Sequence, residues 1–344
     1  MKALVLQEYN RFVYQDVETP EPNENEVLVR VKACAVCGSD VHGMDGSTGR
    51  RQPPVIMGHE AAGVIEACGA RVTKYRAGDR VTFDSTVYCD DCNDCREGNI
   101  NLCKNRRVLG VSCDDYRMDG AFAEYVVVPE HILYKLPDNV TYTQAAMIEP
   151  LSVAYHAALR APIPANGVGL ITGIGTIGLL LLQVLKDMGM QTIIAADIDD
   201  SRLESAEKNG ATHCVNTKDA DAPEKILALT RDGQGVDISY DATGIDSTVS
   251  LCLKSAKCNG AIVLIGNVQQ SIPFPLQWVV TRQQSLFGSC ASAGEYDVCL
   301  RLIADKKICV DDMISKIVPL KDGHEWITRL YNKEPGLYKI ILEA

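Results

Sequence analysis

The stretch of the chain that most constrains its fold is an uncharged, glycine-bearing run from Asn166 to Gln183. It approaches the length of a membrane-spanning helix, but five glycines interrupt it, so a membrane helix explains it poorly. Three of these glycines, Gly173, Gly175 and Gly178, stand between two apolar runs. The pattern predicts a buried strand before the glycines and an apolar helix over Leu179 to Met188.

Strands and helices alternate on the carboxyl side of Pro150. Short apolar runs predict strands, and the segment Ser201 to Asn209 between two of them predicts a helix. The predicted strands are Val168 to Thr172, Thr192 to Asp197, Val236 to Asp241 and Ala261 to Ile265. Repeated strand–helix units of this length predict an α/β domain with a parallel, doubly wound sheet.

The amino-terminal part of the chain has a different character. From Lys2 to about Val128, short β-type runs are separated by turn residues, which predicts an all-β, barrel-like unit. A chain of 344 residues exceeds the usual size of a single core, so two domains are expected. We place the β domain at residues 1–150 and the doubly wound domain at 151–290. Residues 291–344 return to the β domain and end in a predicted strand at Tyr338 to Leu342.

The glycines of the central run match the fingerprint of a dinucleotide-binding turn. The first glycine allows the turn, the second lets the backbone approach a pyrophosphate, and the third packs the helix on the strand. The amide groups at the start of the helix then face the phosphates. The predicted binding residues in this segment are Gly173, Gly175, Thr176, Ile177 and Gly178.

A carboxylate follows at the end of the next predicted strand. Asp197 lies 24 positions after Gly173, where it can accept hydrogen bonds from both hydroxyls of a ribose. It would also repel a 2′-phosphate, so the sequence favours NAD over NADP. Arg202, five residues further, could offset this repulsion or could be a solvated helix residue.

Four cysteines cluster in one short, polar and charged stretch, which is poorly suited to a hydrophobic core. They are separated by three, three and eight positions: Cys89, Cys92, Cys95 and Cys103. This spacing lets a loop fold around one tetrahedral ion, and it predicts a closed structural zinc site. The alternatives are scattered buried thiols or two disulfides.

The composition argues against two classes of partner. The formal net charge of −11 leaves no general basic surface, so neither nucleic acid nor an anionic membrane is expected as the main partner. The segment Met1 to Glu8 becomes polar too early for a secretory signal. We therefore expect a cytoplasmic protein whose other cysteines are reduced.

Two fragments of the β domain carry metal-binding residue types, and each alone is ordinary. Their residues of interest are Cys37, Ser39, Asp40 and His42 in one fragment and His59 and Glu60 in the other. Together with the cysteine cluster and the glycine fingerprint, in this order, they resemble the zinc-dependent medium-chain alcohol dehydrogenase family. The resemblance covers essentially the whole chain.

The resemblance implies a GroES-like β domain, completed by the carboxyl-terminal segment, with a Rossmann domain inserted and the active site in the cleft. Cys37 and His59 match the catalytic zinc ligands, with Asp40 orienting His59. Ser39 and His42 match the proton relay, and the four clustered cysteines match the structural zinc lobe. Zinc then favours loss of the proton of an alcohol, whose carbon gives a hydride to NAD.

One position departs from the simple alcohol dehydrogenases. Where they supply a second catalytic cysteine, this chain has Glu149, which is similar to the polyol branch that includes sorbitol and galactitol-phosphate dehydrogenases. The resemblance implies that Glu60 or Glu149 completes the metal site, directly or through water. Glu149 could instead be a carboxylate stabilised at the start of a helix.

The expected reaction is NAD-dependent oxidation of a secondary alcohol of a polyol or sugar alcohol, phosphorylated or not, to a ketose. The alternatives are an amino-alcohol oxidation of the L-threonine 3-dehydrogenase type, a simple alcohol dehydrogenase, and a zinc-stabilised nucleotide-binding protein without turnover. The family also implies a homodimer or homotetramer, formed through the sheet edge near Ser285 to Gly288.

Two loops could contact the substrate. Arg50 and Arg51 could hold a sugar phosphate by paired hydrogen bonds, or they could be a solvated surface pair. Asp114, Asp115 and Tyr116 could instead bind the hydroxyl groups of a neutral polyol. The sequence leaves the phosphorylation of the substrate open.

Overall fold

The computed structural model describes residues 1–113 and 116–344 of the chain. Within these residues the chain forms two compact units. Unit 1 comprises Met1–Ser152 together with Ala293–Ala344, and unit 2 comprises Val153–Ser292. Unit 1 therefore contains residues from both ends of the chain.

Strands and helices of the described residues are numbered in chain order. The strands are β1 Lys2–Glu8, β2 Arg11–Asp16, β3 Glu26–Ala35, β4 Val55–Ile56, β5 Glu60–Cys68, β6 Arg80–Phe83, β7 Thr86–Val87, β8 Arg107–Val108, β9 Tyr125–Pro129, β10 Leu133–Lys135, β11 Val168–Thr172, β12 Thr192–Asp197, β13 His213–Asn216, β14 Val236–Asp241, β15 Ala256–Leu264, β16 Ser285–Gly288, β17 Ile314–Pro319 and β18 Lys339–Glu343. The helices are α1 Gly38–Gly43, α2 Asn93–Arg96, α3 Tyr142–Ala145, α4 Ile148–Leu159, α5 Thr176–Asp187, α6 Asp200–Lys208, α7 Ala222–Ala228, α8 Asp246–Ser255, α9 Leu276–Arg282, α10 Tyr296–Ala304 and α11 Gly323–Tyr331.

Unit 1 is built on mostly antiparallel strands that bury alternate side chains. In β3, Val27, Val29 and Val31 are fully buried, whereas the residues between them are more exposed. The larger sheet has the order β10-β6-β5-β3-β18-β17, with β9 also paired to β3. A smaller sheet places β1 between β2 and β4. These sheets enclose one apolar core that includes Leu4, Phe83 and Phe122.

The strand β18 lies inside the larger sheet of unit 1. It runs parallel to β17 and antiparallel to β3, with Ile341 opposite Ala35. The backbone N–H of Val36 donates to the carbonyl of Ile340 at 2.9 Å. Because β18 has a neighbour on each side, its central residues Ile340 and Ile341 are fully buried.

Unit 2 is a six-stranded parallel sheet in the order β13-β12-β11-β14-β15-β16. Its central strands are apolar on both faces, as in β12, where Ile193 to Asp197 are all buried. The chain builds the sheet outwards from β11 to β13 on one side and then from β14 to β16 on the other. Doubly wound sheets hold their ligands where this order changes, which here is between β11 and β14. The two-part fold class predicted from the sequence, a β domain plus a doubly wound α/β domain, is confirmed.

The strand bounds agree closely with the sequence pattern in unit 2. The predicted strands at 168–172, 192–197 and 236–241 coincide with β11, β12 and β14. The strand predicted from Ala261 begins five residues earlier, at Ala256. Its first half contains the exposed residues Cys258 and Asn259, so hydrophobicity gives no sign of it.

The uncharged run at 166–183 forms β11 and the first part of α5, as the glycines predict. Helix α5 buries every residue from Gly178 to Leu185. Over residues 1–113 and 116–344, helices with the length and hydrophobicity needed to cross a membrane are absent.

Candidate functional site

Four thiols converge in a small lobe of unit 1. The sulfur atoms of Cys89, Cys92, Cys95 and Cys103 all lie within 4.8 Å of one another, and none of them is in a disulfide. Backbone N–H groups that point at the Cys89 sulfur lower the pKa of its thiol to about 6. Such a group of thiols is the donor set of a tetrahedral structural zinc site. The structure therefore brings together the four cysteines that the spacing singles out.

A second group of potential metal ligands lies at one end of the β3–β5 strand pair. Ala35, the last residue of β3, is opposite Glu60, the first residue of β5. This register places Cys37, just beyond β3, close to His59 and Glu60. One ligand atom from each of these three residues lies within 4.8 Å of the others.

Asp40 connects the residues of this second group. Its Oδ2 accepts a hydrogen bond from the backbone N–H of Cys37 at 3.2 Å, and its Oδ1 lies 3.5 Å from Nδ1 of His59. Burial by itself would raise the pKa of Asp40, but His59 and Arg51 lower it to about 2. An ionised carboxylate in this place can orient the imidazole and leave its Nε2 for a metal ion, which is the role that the resemblance implies for Asp40.

The surroundings of His59 suit a cation. Burial would lower the pKa of His59, but Asp40 and Cys37 raise it well above its ordinary value. A site that favours positive charge on a buried imidazole also favours a metal cation beside it. The thiolate, imidazole and carboxylate of this group fit zinc by chemistry as well as by distance.

Arg51 is buried and bonded to Asp40, which the sequence did not indicate. Its Nη2 lies 3.2 Å from Oδ1 of Asp40 and 3.4 Å from Oγ of Ser39. The aliphatic part of the Arg51 side chain packs against Gly43. A Cβ atom at Gly43 would clash with it, because it would lie 2.7 Å from Cγ of Arg51. Both expectations for Arg51, a phosphate grip with Arg50 and a solvated pair, are therefore wrong, because only 2% of the residue is exposed.

Lys339 is a second residue of this site that sequence reasoning missed. Its Nζ donates to Oε1 and Oε2 of Glu60 at 3.0 and 2.7 Å and to the carbonyl of Val36 at 3.1 Å. Burial would lower the pKa of Lys339, but the Glu60 carboxylate raises it. The signal in the sequence is a single lysine at the head of the apolar strand β18.

Glu149 lies in the first turn of α4 and is only partly exposed. Its Oε1 accepts a hydrogen bond from Oγ of Ser85 at 3.0 Å. Burial raises its pKa, and the nearby Glu60 adds to the rise while His59 opposes it. The compact group of possible ligands contains Glu60 and not Glu149, so Glu149 stands near the site without joining the ligand cluster.

Ser39 and His42 lie on the short helix α1, three residues apart and both exposed. Cys37 caps the start of this helix, and its sulfur accepts the backbone N–H of Ser39 at 3.5 Å. One helical turn therefore carries a hydroxyl group beside Cys37 and an imidazole facing solvent. The proton relay that the resemblance implies needs a hydroxyl group beside the metal site and an imidazole at the solvent. The relay itself stays a prediction.

The glycine fingerprint lies between β11 and α5 in unit 2. Gly173 has a φ of +86°, which favours glycine, and a Cβ there would lie 2.2 Å from Oγ1 of Thr243. A Cβ at Gly178 would lie 2.0 Å from the carbonyl oxygen of Gly173, so this glycine permits the close packing of α5. Helix α5 has no side-chain cap at Gly175, which leaves its first amides, at Thr176 to Gly178, able to bind an anion.

Asp197 ends β12 beside this turn. Its Oδ2 accepts the backbone N–H of Ile174 at 2.6 Å, and its Oδ1 accepts that of Asp199 at 3.0 Å. Nη1 of Arg202 lies 3.9 Å from Oδ2 of Asp197. Arg202 is therefore close enough to offset part of the negative potential of Asp197, although the Arg202 side chain is 40% exposed to solvent.

The two candidate substrate loops are only partly described. Arg50 is exposed, and the ring of Tyr116 lies 5.1 Å from the guanidinium carbon of Arg106. Asp114 and Asp115 lie outside the described residues. The expectation that these carboxylates bind substrate hydroxyls stays a prediction.

Two family models match the chain and together cover most of it. The alcohol dehydrogenase GroES-like domain matches residues 23–138, and the zinc-binding dehydrogenase model matches residues 176–305. Among curated proteins, the chain is similar to sorbitol dehydrogenase of Bacillus subtilis (strain 168), with 34% identity over 92% of this chain and 90% of that protein. It is also similar to D-arabitol-phosphate dehydrogenase of Enterococcus avium, with 32% identity over 98% and 95% of the two chains.

Solved structures share the whole architecture. A protein of Sinorhizobium meliloti 1021, described as a zinc-binding dehydrogenase and bound to NADP, has a TM-score of 0.90 and 30% identity over 100% of this chain and 99% of its own. A protein of Escherichia coli CFT073, named as a short chain alcohol dehydrogenase and complexed with NADH, has a TM-score of 0.92 and 30% identity over 100% and 99%. The likeness therefore extends over both units.

Proposed function

The chain belongs to the zinc-binding dehydrogenases with an alcohol dehydrogenase GroES-like domain, and we propose that it oxidises a secondary hydroxyl group of a polyol or sugar alcohol with NAD. The family indicated by the sequence motifs is thereby confirmed. The observation that carries the proposal is the convergence of Cys37, His59 and Glu60 within 4.8 Å of one another. This set combines one thiolate with a carboxylate, whereas a simple alcohol dehydrogenase is expected to supply a second thiolate.

The relatives support the substrate class. One similar protein is named for sorbitol and another for D-arabitol phosphate, and both match over nine-tenths of the chain. Both of these names denote a hydroxyl-rich carbon chain, with and without a phosphate group. The product of such an oxidation at a secondary carbon is a ketose, and the phosphate remains a question for the substrate screen.

In the proposed alcohol oxidation, each residue of the unit 1 site has its own role. Zinc, when held by Cys37, His59 and a carboxylate, supplies positive charge that lowers the pKa of a neighbouring hydroxyl group. Ser39 accepts the hydroxyl proton at its exposed Oγ and passes its own hydroxyl proton on, by way of the nicotinamide ribose, to His42, which releases a proton to solvent. Asp40 keeps the imidazole of His59 in one orientation throughout.

The cofactor is NAD, which supplies the acceptor for the hydride that leaves the substrate carbon. The amides at the start of α5 would hold the pyrophosphate, and Asp197 would accept hydrogen bonds from the adenosine ribose. A 2′-phosphate would meet the buried charge of Asp197, which favours NAD. Arg202 beside it weakens this discrimination without removing it.

A cofactor-reduction screen tests the proposal. Polyols, their phosphates, L-threonine and simple alcohols are offered with NAD, and NADH is measured by absorbance with and without a chelator. We expect the highest kcat/KM with a polyol or its phosphate, and loss of turnover after chelation. Activity restricted to L-threonine or to ethanol-like alcohols would contradict the polyol assignment.

A Cys37→Ala variant separates a dehydrogenase from a nucleotide-binding protein without turnover. We expect turnover to be lost while NAD binding, measured by calorimetry, stays unchanged, because Cys37 lies in unit 1 and the glycine turn in unit 2. An unchanged reaction rate would exclude a catalytic metal at Cys37. The matched control is Cys258→Ala, which removes an exposed thiol from unit 2.

We also propose a homodimer or homotetramer formed through unit 2. Strand β16 is the edge of the parallel sheet, and its unpaired backbone can add a strand from a second copy. The neighbouring helix α9 and the segment before it expose Phe274, Leu276 and Val280. Light scattering should give at least twice the 37.5 kDa mass of one chain, and the double variant L276E/V280E should shift it towards the monomer.

The proposed compartment is the cytoplasm. The cysteine lobe and Cys37 hold metal only as thiolates, and a reducing compartment keeps them available. Cell fractionation with an antibody against the protein checks this placement. Recovery in an oxidising compartment would contradict it.

A further inference from the structure

Lys339 is the one lysine whose ammonium group is buried against the candidate metal site in the part of the chain that the structure describes. Only 2% of the residue is exposed. Its Nζ contacts three acceptors, namely both carboxylate oxygens of Glu60 and the carbonyl of Val36. An ammonium group has three N–H donors, so these contacts account for all of them.

The three acceptors belong to the segments that carry the candidate ligands. Val36 directly precedes Cys37, and Glu60 directly follows His59. The strand β18 holds Lys339 in place, because the next residue, Ile340, accepts the backbone N–H of Val36. Lys339 is therefore fixed by main-chain pairing at the point where β3 and β5 deliver their ligands.

Glu60 faces two possible cationic partners. One of its oxygens lies within 4.8 Å of the ligand atoms of Cys37 and His59, where a metal ion would attract it. The same carboxylate is held by Lys339 at 2.7 and 3.0 Å. A metal ion and an ammonium group repel each other and compete for the same anion, so a stronger bond to one weakens the bond to the other.

We propose that Lys339 is a positioning residue that restrains Glu60 from binding the catalytic zinc tightly, and so keeps that ion exchangeable and a coordination position open for the substrate hydroxyl. The inference rests on the proposed function, since it requires zinc at Cys37 and His59. Lys339 acts through Glu60 and touches no reacting atom.

The test follows the release of zinc to a chromophoric chelator. The purified holoenzyme holds a second ion in the cysteine lobe, which serves as an internal control because Lys339 is not part of that lobe. In Lys339→Met, Glu60 loses its ammonium partner, and we expect the ion at Cys37 to leave about tenfold more slowly, the range typical of changes to groups that support metal ligands. The lobe ion should leave at the wild-type rate, and kcat should fall more than KM changes.

Further variants at Lys339 and Glu60 keep the test decisive. Lys339→Gln removes the charge but retains a donor for Val36, so it serves if the Met variant does not fold, and it should also slow zinc release. Adding Glu60→Gln to either variant should abolish the slowing, because the competing carboxylate is then neutral. Lys339→Arg keeps the charge and should release zinc at the wild-type rate.

The outcomes separate this inference from the proposed function. Unchanged or faster zinc release in Lys339→Met and Lys339→Gln overturns the inference, while polyol oxidation by the wild type would still stand. A wild-type protein that is active with zinc only in the cysteine lobe overturns the proposed function itself. Slower release that persists after Glu60→Gln also overturns the inference, since Glu60 would not be the group that Lys339 restrains.

Discussion

At the residue scale, Asp197 governs the choice between the two nicotinamide cofactors. In Asp197→Ser we expect kcat/KM for NAD to fall about tenfold or more, because one or two charge-assisted hydrogen bonds of ~1.5–3 kcal/mol are lost. The ratio of NADP to NAD use should rise, since the charge that repels a 2′-phosphate is gone and Arg202 remains. Steady-state kinetics with both cofactors measures the change.

The control for this substitution is Asp200→Asn on helix α6. Asp200 is an exposed carboxylate that accepts from Nδ2 of Asn216, so its loss should leave both cofactor preferences unchanged. An Asp197→Ser enzyme that keeps its preference for NAD would show that discrimination arises elsewhere.

Some site residues are readable from sequence and others are not, for a physical reason. The cysteine lobe is local, so spacing alone brings Cys89 and Cys103 to one point. Arg51 and Lys339 reach the metal site through tertiary packing, and Lys339 meets Glu60 across 279 positions. The only local sign is the apolar strand that follows Lys339, and it does not reveal which carboxylate the lysine meets.

At the element scale, the turn between β11 and α5 contains two glycines with different roles. We expect Gly175 to serve cofactor binding and Gly178 to serve helix packing. A Cβ at Gly175 meets only Nη1 of Arg202, at 3.6 Å, whereas a Cβ at Gly178 meets the Gly173 backbone at 2.0 Å. Gly175→Ala should therefore fold normally but bind NAD about tenfold more weakly, because its methyl group faces the pyrophosphate. Gly178→Ala should lose roughly 1–3 kcal/mol of stability from overpacking.

Thermal unfolding and NAD calorimetry on the two glycine variants check this division. A matched control is Gly288→Ala, because Gly288 has open space for a Cβ and no positive φ. Equal stability of Gly178→Ala and the wild type would show that α5 can move away from the turn.

The cysteine lobe is a second element with a testable role. Cys95 is buried among the four thiols, and its replacement by Ser leaves an incomplete tetrahedral set. We expect Cys95→Ser to lose the lobe zinc and to lower Tm by about 5 °C, because structural zinc contributes directly to folding. Metal analysis and calorimetry measure both effects, with Cys258→Ser as the control.

Element boundaries were predictable where hydrophobicity follows burial. The central strands β12 and β14 of unit 2 are mostly buried and end at Asp197 and Asp241, so their bounds coincide with the sequence pattern. Helix α4 begins at Ile148, although the alternating strands and helices were predicted only beyond Pro150, and so it includes Glu149 and Pro150. Proline is tolerated in a first turn because its missing N–H has no partner there, and the sequence therefore does not mark the true start.

At the scale of the whole molecule, metal removal should have two distinct effects. The lobe would hold its ion with four thiolates in a closed site, whereas the Cys37 site, with a position open for substrate, would exchange its ion more easily. Mild chelation should therefore lower the zinc content from about two ions per chain to about one, with activity lost but Tm little changed. Metal analysis beside activity assays checks the order, and loss of both ions together would contradict it.

The fold class and family could be inferred from the sequence because several independent motifs occur in one order along the chain. The pairing of β18 with β3 and β17 could be expected only in outline, from the resemblance. Its register, and with it the place of Lys339, depends on main-chain pairing between distant segments. The bonding of the metal ligands is therefore less predictable than their identity.

The position of Lys339 has a consequence for how the protein matures on the ribosome. Cys37, His59 and Glu60 emerge during translation long before Lys339, which follows Glu60 by 279 residues. At bacterial or eukaryotic elongation rates this interval lasts roughly 14–56 s. During that time the nascent chain presents Glu60 without its counter-ion, so under the proposed role of Lys339 an ion captured early would meet an unrestrained carboxylate until β18 pairs with β3.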